Sequence, residues 1–430
     1  MFNFSQSQFT PMNRRASGKN SILFSIVLLL FTLPIISCDD DDNNIELPDT
    51  IDTNAKLSAA LEDIVETTEV PGFAITVVKD DEIVLQEAFG FADIKAQKPY
   101  TNQTVQHIAS VSKTFAGAAV VKAIEQGLFT METNINDLLP VTLINPKQPN
   151  TEIKVKHLVT HTSGLLDNAP LYLATNWYIL PDEDLNTTGA KTLMNQIGIE
   201  PGEAVELGDF LAEYFLEDGD LYFDENFANT TPGSTWAYSN LATGLMGFII
   251  EAASGMSFDE YVKSNILQPL GMSQSTYNLG EVNQQNLAKW YLSQDTPLPL
   301  YGNHSYVEGG LFTNNIDFGK YLLDMTKGAK DNAGQLFSTN GYDMLFADQL
   351  PNGVVPSDFG DNHGVFWIKD GNILRHGGND FGVSAYIELT QTGDAGYTFM
   401  TNMDGVLDFA SYQVVAAKID AVMKEFFANN

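Results

Sequence analysis

The chain has a single cysteine, Cys38, among 430 residues. That excludes an internal disulfide, so packing and hydrogen bonding alone must hold the fold. Basic residues are scarce as well: 22 Lys and Arg stand against 55 Asp and Glu, a formal charge of −33. Such a surface repels nucleic acid and anionic headgroups and argues against both as partners. Nor is this a disordered composition. Hydrophobic residues make up 44% and charged ones only 18%, the balance of a folded globular protein.

The beginning of the chain has no acid before Asp39. Arg14, Arg15 and Lys19 precede the apolar run ILFSIVLLLFTLPII, residues 22–36. A spanning helix needs roughly 20 apolar residues, so this shorter run reads as the core of a secretory signal. It ends in IISC, which resembles the lipobox of bacterial lipoproteins. The resemblance implies removal of residues 1–37, a lipid on Cys38, and a place in the bacterial cell envelope, at the periplasmic face or the cell surface. Without residues 1–37 the charge is −36. Residues 38–54, beginning CDDDDNN, are acidic and aperiodic and read as a solvated tether. Residues 55–430 show no repeat or second linker, so one catalytic unit with two lobes is expected, a monomer.

Strand signals lie at both ends of that unit. GFAITVVKDDEIVLQEAFGFAD predicts a hairpin turning at residues 79–82, and GVFWIKDGNILRHGG a second whose turn takes positive φ angles at Asp370 and Gly371. VSAYIELTQTGDAGYTFMTN predicts a third, turning at residues 392–394. Leu57, Leu61, Ile64 and Val65 repeat at helical spacing near one end, and Val414, Val415, Ile419, Val422 and Phe426 near the other. Helical patterns fill the middle, from about residue 112 to 326. Segregation of this kind predicts α+β: an antiparallel sheet flanked by N- and C-terminal helices, with a mainly helical lobe inserted. The acidic, turn-rich stretch 166–229 is expected to form a lid or a wall of the cleft.

The chemistry centres on HIASVSKTFAGAAVV, residues 107–121, where Ser110 and Lys113 are spaced to meet across the first turn of a helix. A serine hydroxyl is a poor nucleophile until a base takes its proton. A lysine becomes that base if burial lowers its pKa from about 10.4 toward neutrality, and an apolar helix face supplies the burial. Taken alone, the pair better fits a capping serine followed by a lysine reaching for water.

Context decides between them. KVKHLVTHTSGL, then TPGSTWAYSNLATGLMGFIIEAASG with Tyr238-Ser239-Asn240, then QPLGM, VEGGLFTNNIDF and RHGGNDFG follow in that order. Together they resemble the serine β-lactamase and penicillin-binding superfamily over residues 57–427, in its branch of class C β-lactamases, D-alanyl-D-alanine carboxypeptidases and related esterases. The resemblance implies a β-lactamase/transpeptidase-like fold and an acyl-enzyme mechanism without cofactor or metal. Ser110 would be acylated, and Lys113 would accept its proton. Tyr238 would shuttle a proton to the leaving group, and Asn240 would orient Lys113 and bind the substrate amide. The backbone N–H groups of Ser110 and Asn379 would form the oxyanion hole.

The third motif departs from the pattern: His376-Gly377-Gly378 stands where β-lactamases usually carry Lys-Thr-Gly. A histidine is mostly neutral near pH 7, so recognition of a substrate carboxylate is weakened and β-lactam turnover is expected to be weak. Arg375 should point to the opposite face by strand alternation. The expected substrate is a small ester or a D-amino-acid peptide amide. The alternatives are a class C-like β-lactamase and a slowly acylating penicillin-binding or sensor lipoprotein. Three further features have bland explanations. His157 and His161 share zinc-like spacing but lack the accompanying glutamate, and His161 is expected to bond backbone near the cleft. DEDLN, residues 182–186, reads as a loop, and His107 as structural.

Overall fold

A computed structural model describes residues 50–331 and 333–430. The stretch read as a signal, Cys38 and most of the stretch read as a tether lie outside the described residues. Helix α1, Asn54–Thr67, starts where the Thr53 hydroxyl accepts the Lys56 N–H. It buries Leu57, Leu61 and Ile64, while Val65 packs at the margin. The fold begins slightly before the helix, because Ile51 is fully buried. The end of the polar stretch is therefore part of the domain and not of the tether.

Strands β1 (Gly72–Lys79) and β2 (Glu82–Asp93) form the first expected hairpin. Asp80 and Asp81 make its turn, both at positive φ. β3 is Lys98–Pro99, β4 Asn362–His363, β5 Ile368–Asp370, β6 Ile373–Asp380, β7 Val383–Thr390 and β8 Ala395–Thr401. They pair in the order β4-β5-β6-β7-β8-β1-β2-β3. Every pairing in this sheet is antiparallel. The first and last parts of the chain thus meet at the sheet centre, where Phe73 lies opposite Thr401. The β5–β6 hairpin differs from expectation: Gly371 takes the positive φ, whereas Asp370 ends β5 and pairs with Arg375. One positive angle at the first turn residue is enough to match the strand twist.

Alternation along β1 divides the core. Phe73, Ile75 and Val77 face α1 and the last helix, α5 (Phe409–Ala428), in one cluster. Ala74 and Val78 join the larger cluster on the other side. There Thr76 bonds Asn315 at the start of α4, Asn315–Asp331. In α5 the buried face is Val415, Ile419, Val422 and Phe426; Val414 turns outward at 53% exposure. One position of helix is about 100°, enough to carry Val414 off that face.

The middle of the chain is mainly helical. It holds α2 (Ser112–Glu125) and α3 (Asn240–Ser254), both packed into the main core. The stretch 166–229 contains more strand than its composition suggested. Trp177–Ile179 pairs with both Glu200–Pro201 and Tyr301–Asn303. These pairings span long sequence separations and leave no local alternation. The architecture is α+β: an antiparallel sheet, flanking helices from both chain ends, and an inserted lobe.

Candidate active site

The cleft lies where β6 of the sheet meets α2 and α3 of the lobe. Ala109–Val111 forms a single 3-10 turn immediately before α2. Ser110 therefore sits two residues before the α-helix and not within its first turn. Ala109 is held at φ 44, a costly conformation for a residue with a Cβ. β6 presses against this turn so closely that a Cβ on Gly378 would lie 2.5 Å from the Ile108 carbonyl and 2.8 Å from the Ser110 nitrogen. Only glycine fits there.

Lys113 is fully buried. Its Nζ donates to Ser110 Oγ at 3.0 Å and to the Glu308 carbonyl at 2.9 Å. Burial lowers its pKa to about 8, with Glu308, Asp167 and Asp380 pulling the other way. The same Nζ lies 5.1 Å from the centre of the Tyr238 ring. Burial pushes the Tyr238 phenol well above its usual range, and a hydrogen bond with the Ser110 side chain opposes that. At neutral pH the phenol keeps its proton, so it can deliver one, while the lysine is the group poised to lose one.

Tyr238 is fixed from behind. The Ser239 N–H donates to His161 Nδ1 at 3.3 Å, and the His161 ring packs against that of Tyr238, centres 4.5 Å apart and planes tilted by 37°. His161 therefore bonds backbone beside the cleft. His157 has a different partner, accepting the Lys154 N–H at 3.0 Å. The short helix Val155–Val159 ends before His161, so the two rings share no helical face. His107 is buried against Trp290, Tyr301 and Phe312.

Asn240 begins α3 and lines the cleft. Among the described residues no hydrogen bond joins its side chain to Lys113. The Glu308 carbonyl, brought over by the 3-10 turn Tyr306–Glu308, holds the amine instead. His376, Gly377 and Asn379 also line the cleft, beside Ser110 and Tyr238. His376 Nδ1 meets the Gly377 carbonyl at 2.7 Å. Burial lowers its pKa to about 3, helped by the nearby Lys113 charge, so the ring stays neutral. Arg375 lies on the other face of the sheet, 2.9 Å from Asp370.

Three acids beside the cleft were not singled out from the sequence. Asp167 accepts the Asn240 N–H at 2.7 Å, the Leu241 N–H at 2.9 Å and the Ser239 hydroxyl at 3.0 Å, capping α3 and so placing Tyr238 and Asn240. The Glu308 carboxyl takes bonds from Tyr172, Asn176 at 3.0 Å and Ser305 at 2.9 Å. Burial raises it to about 8 despite the pull of Lys113. Asp380 ends β6 within the cleft wall. Tyr172 and Trp177 complete that wall from the acidic stretch 166–229.

A sheet flanked by helices from both chain ends, with a serine and a buried lysine between sheet and lobe, is the arrangement of a superfamily of serine hydrolases. The family model for beta-lactamases matches residues 57–417, and the chain belongs to that family. It is 26% identical over 315 residues to a protein named Beta-lactamase from Yersinia enterocolitica, covering 68% of this chain and 69% of that one. It is 23% identical over 359 residues to Protein flp of Staphylococcus aureus strain MW2, covering 83% of this chain but only 64% of that longer protein. Among solved structures, an octameric penicillin-binding protein homologue from Pyrococcus abyssi aligns at TM-score 0.65 and 23% identity, covering 85% of this chain and 77% of the other. A penicillin-binding protein from Bacillus halodurans aligns at TM-score 0.61 and 23% identity, covering 85% and 99%. At these identities the two structures speak for the fold alone.

Proposed function

We propose that this protein is an acyl-transferring serine hydrolase acting on a small ester or a D-amino-acid peptide amide, held at the bacterial cell envelope by a lipid on Cys38. The observation that carries the reading is the fully buried Lys113 amine 3.0 Å from Ser110 Oγ. In its neutral form the amine takes the hydroxyl proton as oxygen attacks the carbonyl, giving an ester on Ser110. Backbone N–H groups of Ser110 and Asn379 stabilise the oxyanion. Tyr238 supplies the leaving group with a proton and recovers one from the incoming water. Asn240 and the β6 edge at His376, Gly378 and Asn379 position the substrate.

The direct test is labelling with a fluorophosphonate followed by peptide mass analysis. The added mass should fall on Ser110 and vanish in Ser110→Ala; a label on any other residue overturns the assignment. A p-nitrophenyl ester should then be turned over at steady state. A burst without turnover would instead support the second reading, a slowly acylating penicillin-binding or sensor protein, which the loss of the third-motif lysine favours. A β-lactamase is disfavoured for the same reason, although one relative carries that name. For the anchor, Cys38→Ser should abolish incorporation of a labelled fatty acid and release the protein from the membrane fraction.

A further inference from the structure

Two side chains that β6 contributes to the cleft wall, His376 and Asp380, present hydrogen-bond acceptors. His376 carries its proton on Nδ1, because that nitrogen faces a carbonyl and a carbonyl only accepts. Its Nε2 is thus a buried lone pair with no partner among the described residues. Asp380 lies four positions further along β6, on the same side of the strand. Asp380 as a whole is 6% exposed. Oδ1 accepts the Phe381 N–H at 2.8 Å and Oδ2 a long 3.4 Å contact from the Trp177 indole, and the Tyr301 phenol also approaches the carboxyl. The nearest basic group, His107 Nδ1, stands 3.9 Å away. Burial lowers that imidazole to about 4, so it is neutral at pH 7.

Among the described residues, then, no lysine or arginine makes an ion pair with Asp380. Burial without a paired cation raises the Asp380 carboxyl to about 7, and a cation carried by what binds would draw it to the charged form. Position says where on the substrate that charge sits. Gly378 abuts the nucleophile; His376 lies on the Tyr238 side, where the leaving group departs, and Asp380 lies on the other. Its Cα is roughly 7 Å beyond that of Gly378 along the strand, within reach of a group one or two bonds from the attacked carbonyl. The Trp177 indole contacts Asp380, and the Tyr172 ring lies edge-on to that indole at 4.9 Å, so aromatic carbon lines this part of the cleft.

We infer that the substrate carries a protonated amine on its acyl portion, seated against Asp380 beside Trp177, so that the enzyme takes α-aminoacyl esters or amides in preference to neutral or carboxylate-bearing ones. This rests on Ser110 being the acylated nucleophile, and the two claims fail separately. Three p-nitroanilides serve as probes: alanyl in both hands, propionyl as the amine-free isostere, and succinyl as the anionic one. Each is followed by kcat/KM or, where turnover is slow, by protection of Ser110 from a fluorophosphonate. The alanyl compound of at least one hand should exceed propionyl by tenfold or more, with succinyl lowest. In Asp380→Asn that ratio should fall to within about threefold of unity. Equal rates for alanyl and propionyl in the wild type overturn the inference, as does an Asp380→Asn variant slowed alike on both. Should the variant fail to take label at Ser110, the wild-type comparison decides alone. Absence of label on wild-type Ser110 would overturn the hydrolase reading and this inference with it.

Discussion

The Lys113 amine, wholly buried, donates at 3.0 Å to the Ser110 hydroxyl and at 2.9 Å to the Glu308 carbonyl. With its pKa lowered to about 8, only a minority of molecules hold the neutral amine at pH 7. Acylation should therefore rise with pH, inflect near 8 and level off above it. Measuring kcat/KM for a p-nitrophenyl ester from pH 6 to 10 checks this. Lys113→Arg, which keeps the charge at every pH, should lose about 10²–10⁴-fold and the inflection as well. An inflection near 6.5 that survives in Lys113→Arg would point to a histidine base.

The same lowered pKa makes a statement about stability. The lysine falls from 10.5 in the unfolded chain to about 8 in the folded one. Between those values the unfolded chain binds more protons, so stability rises with pH across that window. Below pH 8 both states carry the charge and the burial penalty, about 3 kcal/mol, is present in full. Lys113→Met removes the charge and keeps the bulk of the side chain. At pH 7 it should be inactive yet no less stable in urea than the wild type, and more stable by up to about 3 kcal/mol. A clear loss of stability would mean that the amine's hydrogen bonds outweigh its desolvation.

Gly378→Ala tests the contact between β6 and the nucleophile turn. The new Cβ would meet three backbone atoms, at the Ile108 carbonyl, the Ser110 nitrogen and the Val111 nitrogen, each within 3 Å. Backbone cannot swing aside as a flexible side chain would, so strand and turn must separate. Overpacking of this kind costs about 1–3 kcal/mol, and a shift of an ångström at the reacting atoms costs about 100-fold in rate. Thermal melting and esterase kinetics should show both losses together. Gly371→Ala is the control: its Cβ would have no neighbour within 4 Å, so it should lose stability through its positive φ and leave activity intact.

How far the sequence carried this picture depends on separation along the chain. Ser110 and Lys113 are three positions apart, and helical geometry brings such neighbours together wherever they occur. The hairpins were legible for a similar reason, since turn residues and strand alternation are local. Arg375 facing away from His376 followed from alternation alone. The Glu308 carbonyl that holds Lys113 comes from 195 residues away, and the Asp167 cap reaches Asn240 across 73. No periodicity marks such pairs. Asp380 and Trp177 meet across 203 residues; Asp380 falls within RHGGNDFG, but nothing in that run singles out its carboxyl, and no motif contains Trp177. The acids of the cleft were hidden by the composition too, because a chain with 55 acidic residues offers no reason to single out three.

His376 gives the prediction that bears most on specificity. Its imidazole is lowered to about 3 and 2% exposed, so at any physiological pH the β6 edge offers a substrate no positive charge. A carboxylate placed there gains no ion pair, and the His376 Nε2 lone pair repels it. His376→Lys would extend an ammonium from the same position toward the cleft. A charge-assisted hydrogen bond contributes about 1.5–3 kcal/mol, equivalent to roughly 10–100-fold. Acylation of Ser110 by a fluorescent penicillin should accelerate by about that factor, while reaction with a neutral p-nitrophenyl ester should gain nothing on the alkaline plateau, where Lys113 is neutral in both proteins. The same ammonium lies near Lys113 and should lower its pKa further, moving the ester pH profile toward acid. A variant that reacts with penicillin no faster than the wild type would mean that something other than the missing cation limits that reaction, with the narrow contact between Gly378 and the nucleophile turn the first place to look.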